Sequence, residues 1–179
     1  VVIMPKARSP ESLPTLEQIK QSIRYCPDTG NFFRTVSKGR VKAGDKADAI
    51  FGNGHSYVRA LGVAFKSSRL AYCFMTGSHP GERDEIDHLN HNPLDNRWKN
   101  LRIANRSQNL AWRRKRAIAS SQFKGVTFSK VSNKWRAYGT LPSGKQKHLG
   151  YFENEFDAAT AYNVYASKIY SDFAFVNRW

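Results

Sequence analysis

The sequence predicts an α+β chain assembled from several small modules, and three observations carry that expectation. Helical and strand-like hydrophobic periods succeed one another over short stretches. Clusters of Gly, Pro, Asn, Asp and Ser break the chain at short intervals. Residues 85–116, "EIDHLNHNPLDNRWKNLRIANRSQNLAWRRKR", crowd acids, histidines, amides and arginines together with few apolar residues between them. A core needs apolar spacing, so this stretch is either a solvated face with a turn in it or a site. The breaks divide the chain into an arm at 1–14, an α+β segment at 15–80, the polar unit at 81–118 and a C-terminal module at 119–179.

The arm, "VVIMPKARSPESLP", holds three prolines in fourteen residues and shows no sustained period. "TLEQIKQSIRY" sets Leu16, Ile19 and Ile23 on one helical face, with Thr15 as N-cap. "CPDTGNFF" is a turn leading into an aromatic strand, and short strands follow with turns at "SKGR", "KAGDK" and "FGNGHS". "SRLAYCFMTG" is a short helix stopped by Gly77 and Pro80. Within the polar unit, "EIDHL" is a strand, "NHNPLDNRWKN" a loop, "LRIA" a second strand and "NRSQNLAWRRKR" a helix running into a linker. Beyond it, "QFKGVTFS", "KWRAYGTL" and "KQKHLGYF" make an antiparallel meander with turns at "KVSN" and "PSGK". The last element, "NEFDAATAYNVYASKIY", places Phe156, Ala159, Tyr162, Val164, Ala166 and Ile169 near helical spacing, with Asn154 as cap.

Charge narrows the function. The formal net charge is +15, and its excess is spread as seven over residues 1–80, four over 81–120 and four over 121–179. No single tail supplies it, so every part is expected to face one polyanion, of which nucleic acid is the commonest. Lys42, Arg59, Lys66 and Arg69 are candidate phosphate contacts in the first segment. Cys26 and Cys73 are too few for a disulfide framework or a four-thiolate zinc site and are expected to be buried apolar residues in a reducing compartment. No apolar run reaches membrane-spanning length, and the first residues lack the order of a secretory signal, so the chain is expected to be soluble and intracellular.

In the polar unit, Asp87 and His88 are followed by Asn100 and Asn109 at a spacing of H-x11-N-x8-N in β-loop-β-α order, with "DNR" and "NLR" between. Here the sequence resembles the HNH endonucleases of the ββα-metal fold, and more narrowly the phage-encoded homing type. The resemblance implies phosphodiester hydrolysis. An imidazole titrating near neutrality suits His88 to the general base. A hard divalent cation, Mg2+ or another such as Mn2+, takes oxygen ligands, which Asp87 and Asn109 supply. The resemblance assigns Asn100 to bracing the loop that presents His88. Asn105, four residues before Asn109 and expected on the same helical face, is a rival ligand. His91 has a solvent or DNA-backbone role, and Asp95, Asn96 and Arg97 form a turn-fixing cluster. In many such relatives a histidine precedes the arginine of the preceding helix; Ser68 stands there before Arg69. Arg113, Arg114 and Arg116 would grip phosphates beside the site.

Residues 122–179 resemble the AP2 DNA-binding domains through "FKGV", "KWRA", "KHLGYF", "AATAY" and "DFAFVN". The resemblance implies a sheet docked in the major groove with the helix packed behind. Alternation turns Val126, Phe128, Trp135, Ala137 and Leu149 to the helix and leaves Thr127, Ser129, Lys134, Arg136, Tyr138, Thr140, Gln146 and His148 outward, with Lys124 joining them. Fewer of the matched positions are arginine than in the plant type, so docking is implied better than a base sequence.

The expectation is a site-specific, metal-dependent endonuclease acting on double-stranded DNA in the cytoplasm of a bacterial or phage-infected cell. It would work as a monomer on an asymmetric site or as a restriction-like dimer on a palindrome. The competing class is a DNA-binding regulator whose HNH part is vestigial.

Overall fold

The structure is a computed structural model, and it describes residues 13–52, 54–113 and 120–179. Contacts gather the described residues into two compact units, one of those up to Glu82 with Ile86–Ile103, the other of Arg83–Glu85 with those from Ala104 onward. The chain is mixed α+β. No helix among the described residues is long and apolar enough to cross a membrane.

The first unit begins with α1 (Leu16–Ser22), closed by a capping box between Thr15 and Gln18. The helix was expected to reach Tyr25 but stops three residues earlier. Ile23–Tyr25 is instead a strand, β1, paired antiparallel with β2 (Phe32–Arg34). A β-branched and an aromatic residue facing an aromatic strand gain more from the ladder than from another helical turn. Ile19 and Ile23 are still both buried. The turn between the strands closes through Cys26, whose N–H donates to Asn31 O and whose carbonyl accepts from Gly30 N–H. Cys26, expected in the core, is only half-buried in that turn, whereas Cys73 is buried.

A three-stranded antiparallel sheet follows, ordered β3 (Asp48–Ile50), β4 (Ser56–Ala60), β5 (Val63–Lys66). It leads directly into α2 (Ser67–Thr76), which ends on a left-handed Gly77. Phe32, Val58, Leu70 and Ala71 join Ile19 and Ile23 in one core, to which Ile86 and Leu101 of the polar stretch also belong. Those two residues sit on β6 (Asp84–His88) and β7 (Leu101–Asn105), which pair as a two-stranded sheet.

The second unit holds α3 (Arg106–Trp112), then β8 (Val126–Ser129), β9 (Lys134–Thr140) and β10 (Gln146–Phe152) as an antiparallel meander, then α4 (Glu155–Tyr170). Val126 pairs with Ala137 and Phe128 with Trp135, so the expected core face of the sheet is the one observed. The buried stripe of α4 is Ala158, Ala159, Tyr162, Tyr165 and Ala166. Phe156 and Val164, expected on that stripe, are exposed. Val164 lies two residues past Tyr162, about 200° round the helix, and so faces away. Small alanines let α4 approach the sheet closely: a Cβ on Gly139 would stand 2.0 Å from the Tyr165 ring. Asn177 clasps this unit shut, accepting from Lys124 N–H at 2.8 Å and donating to Lys124 O at 3.0 Å.

Candidate active site

His88 ends β6 and is buried. A buried imidazole loses hydration of its charged form, and burial accordingly lowers its pKa below the ordinary value, against the opposing pull of Asn96. Its Nε2 lies 3.2 Å from Asn96 Oδ1. Asn96 donates in turn to Ser56 Oγ at 2.9 Å. Its carbonyl accepts from the Tyr25 hydroxyl at 2.6 Å, in surroundings whose burial raises the Tyr25 pKa. Gly30, in the left-handed region at φ +74°, lies so close that a Cβ would sit 2.5 Å from Asn96 C. The turn "CPDTGN" is therefore built against the loop that follows β6, and Trp98 N–H donating to Pro27 O ties the two again. The sequence grouped Asn96 with Asp95 and Arg97 as one turn cluster. Only Asp95 and Arg97 behave so: Asp95 accepts from Arg97 Nε at 2.7 Å and from Asn90 Nδ2 at 2.6 Å. These hydrogen bonds, Arg97's foremost, hold its carboxyl down at about 2.

Asn100 is buried across the same loop. Its Oδ1 accepts from Asn90 N–H at 3.0 Å, and its Nδ2 donates to Asp95 O at 2.7 Å and to Asn90 Oδ1 at 3.0 Å. An amide supplies one acceptor and two donors, and here all are engaged by the loop. His91 takes φ 61° at the turn, where its N–H donates to His88 O.

Asp87, also buried, receives Arg102 from β7: Nε and Nη2 both stand 2.9 Å from Oδ2. Both contacts fall on one oxygen. His88 is the last residue of β6, where regular alternation ends.

In the second unit, Asn109 on α3 donates its Nδ2 to Glu85 Oε2, which turns its Oδ1 the opposite way. Glu85 was not singled out in the sequence, although its place two residues before Asp87 on one strand was the available signal. Asn105, the rival to Asn109, is not on the helix. It is the N-cap of α3, its Oδ1 taken by Gln108 N–H at 2.9 Å. The helix also ends sooner than expected, since Arg113 has φ −57° and ψ 138°. Arg114 and Arg116 lie outside the described residues.

Lys124 was expected on the outer surface of the sheet. It turns instead to the end of α3, its Nζ donating to Ala111 O at 2.5 Å, Arg113 O at 2.6 Å and Leu110 O at 3.3 Å. A helix leaves its last carbonyls unpaired, and an ammonium satisfies them and their partial negative charge together. Burial, with Arg113 adding, pulls the Lys124 pKa down to about 8. The other expected contacts fall in two rows. Thr127 pairs with Arg136, and Tyr138 with His148, while Gln146 pairs with Thr140 at one end and Ser129 with Lys134 at the other. Lys134 meets Glu153 at 2.7 Å, an exposed pair worth little. A bulge between His148 and Gly150 shifts the register so that Tyr151 opposes Arg136 and its ring lies 4.8 Å from that of His148. Strict alternation had hidden Tyr151.

Among the described residues no three His, Cys, Asp or Glu side chains form a group that could hold a metal ion. Asp87 and Asn109, the two ligands expected from the sequence, fall in different units.

The caps on α3 generate a prediction. Lys124→Met keeps the aliphatic stem and removes three bonds to carbonyls, so amide exchange in residues 107–112 should quicken, with a loss of about 1.5–3 kcal/mol in local stability. Unchanged protection would show that the helix end does not depend on the ammonium.

Residues 66–111, from the end of β5 to α3, match the family model described as HNH endonuclease. No curated protein matches the chain, and no solved structure does. A short HNH-family nuclease domain thus spans residues 66–111 of this chain.

Proposed function

We propose that this protein is a site-specific, metal-dependent DNA endonuclease, with residues 81–118 as the cutting core and 15–80 and 119–179 engaging DNA on either side. The observation that carries the reading is the buried His88, kept neutral by its surroundings and oriented by Asn96, inside the segment that matches the HNH family. A neutral imidazole held in one orientation is what a general base near pH 7 requires. In the proposed step a water oxygen attacks phosphorus, its proton passes to His88, and the 3′ oxygen leaves with the P–O electron pair and takes a proton from solvent. Asn100 keeps the loop in place and so keeps His88 where it is. Asp87 and Asn109 are the residues proposed, on the HNH resemblance, to hold a divalent cation, each by an oxygen of the kind such an ion takes. Such an ion, when bound, supplies charge stabilisation for the phosphate and the departing oxygen.

The C-terminal module is proposed to anchor the enzyme as an AP2-like sheet in the major groove. Support comes from the outward rows of Arg136, Tyr138, His148 and Tyr151, which offer donors and planar faces to base edges and sugars. Its asymmetry with the first segment suits a monomer on an asymmetric site, and a dimer would instead require a palindrome. One observation favours the non-catalytic alternative. Arg102 already neutralises Asp87, and a carboxylate so paired attracts a cation less.

Three measurements decide. Supercoiled plasmid should be nicked with Mg2+ and left intact with EDTA, and His88→Ala should lose a hundredfold or more in rate while still binding duplex. Binding with no metal-dependent nick would leave only the regulator. Because burial lowers the His88 pKa below 6.5, the base stays neutral as pH falls to that value. The acid limb of the rate profile should therefore lie below pH 6.5, and a limb above it would contradict a buried neutral base. Replacing Arg136 and His148 together by alanine should weaken duplex affinity about tenfold or more without changing the nicking rate at saturating DNA. Unaltered affinity would remove the anchor role.

A further inference from the structure

We infer that Leu61, at the tip of the hairpin joining β4 to β5, is a wedge that enters between adjacent base pairs of duplex DNA and kinks it; this rests on the reading above that residues 15–80 engage DNA. Ala60 pairs with Val63, so the connection is only Leu61 and Gly62. Both have positive φ, 49° and 79°, as a two-residue hairpin turn of type I′ requires. Glycine, asparagine and aspartate take that backbone readily. A leucine is strained there, because its Cβ crowds the following carbonyl. The other described non-glycine residues with positive φ are His91, Asn133 and Ser171, all polar. Packing does not offset the strain: Leu61 is 54 % exposed and stands outside the core of the first unit. A single exposed leucine is ordinary, but one held at a tip in an unfavourable backbone costs stability without a return inside the fold. Strain of that kind collects where a chain acts on a partner.

The tip is braced, as a wedge must be. Arg34 Nη1 on β2 donates to Arg59 O at 2.8 Å, two residues before the leucine, and Ala60 beneath it is buried. A finger already held in place loses little freedom on insertion. Its charge names the partner. Residues 49–66 include Arg59 and Lys66 and no acid, and Asp48 just before them is engaged by Phe32 N–H at 3.1 Å and by Lys46 at 3.5 Å. A cationic hairpin with an apolar tip matches a polymer that is anionic along its backbone and apolar between its stacked bases.

The test uses the full chain in EDTA on closed circular plasmid, relaxed by a topoisomerase that needs no metal and then stripped of protein. A wedge untwists the step it enters, so the linking number should fall in proportion to the protein bound. Leu61→Asn suits the turn better and should raise Tm by about 2–4 °C. It should also lose most of the linking-number shift and bind the plasmid about threefold or more weakly. Leu61→Met keeps an apolar tip and should keep the shift. A full shift in Leu61→Asn would overturn the inference, as would a fall in its Tm, which would make Leu61 a packing residue. Unchanged plasmid binding with loss of self-association in that variant would overturn it too, assigning the tip to a second copy of the chain. The measurement needs no cleavage. A protein that shifts the linking number yet never nicks with Mg2+ would bring down the nuclease reading alone; one that binds and nicks without the shift would bring down the wedge alone.

Discussion

A buried imidazole is stable only where its polar atoms are answered, and the first unit is organised around that demand. Its answer is a side chain, Asn96, which the chain itself must immobilise before it can immobilise anything else. Tyr25 and Gly30 come from the first hairpin, Ser56 from the middle strand of the sheet, and His88 from the end of β6. The small hydrophobic core of Ile19, Phe32, Val58 and Leu70 holds those elements at fixed distances. Packing thus does for the site what no local hydrogen bond could: it makes four distant segments rigid against one another at one amide.

This accounts for the density of polar residues between 85 and 116. A loop whose ends are both buried carries backbone groups that must find partners without water. Asn90, Asp95 and Asn100 answer them, and Asp95 is held ionised by Arg97. The amides are spent on structure, and the carboxylate beside His88 is paired with Arg102. The proposed nuclease reading requires that pair to open to a cation, whereas the regulator reading leaves it closed.

Much of the fold was legible because it is local. Period and capping residues located α2, α4 and the meander, and Asn154 caps α4 through Asp157 N–H. What escaped was set by tertiary pairing. Ile23–Tyr25 belongs to a helical stripe by spacing, yet its partner strand lies seven residues onward and pulls it out of the helix. Tyr151 reaches the outer face only because a bulge changes its parity, and alternation cannot foresee a bulge. The spacing of Asp87, His88, Asn100 and Asn109 could be read as a pattern, but Glu85 and Asn96 could not, because their importance lies in whom they touch. The same limit explains Lys124. As a lysine before a basic strand it resembles a phosphate contact, and only the position of α3 shows that its charge is already used.

That use of Lys124 bears on how the second unit works. α3 has seven residues and buries none of them, so neither length nor a hydrophobic face can hold it as a helix. It persists because both ends are satisfied: Asn105 and Gln108 close its N-terminus, and Lys124 gathers its last carbonyls. Asn177, clasping the Lys124 backbone from the far end of the chain, fixes the lysine in turn. The helix that carries Asn109 is therefore dependent on the C-terminal module for its existence, and Asn109 is aimed by Glu85 only while that helix stands. Under the proposed reading, a module that served solely to find a DNA sequence could be cut away without harm to the cutting core. Removing this one would take Lys124 from α3, so any loss of activity would report a melted helix before a lost anchor. Substitutions on the outer rows of the sheet, which touch neither Lys124 nor Asn177, are for that reason the clean way to separate recognition from support.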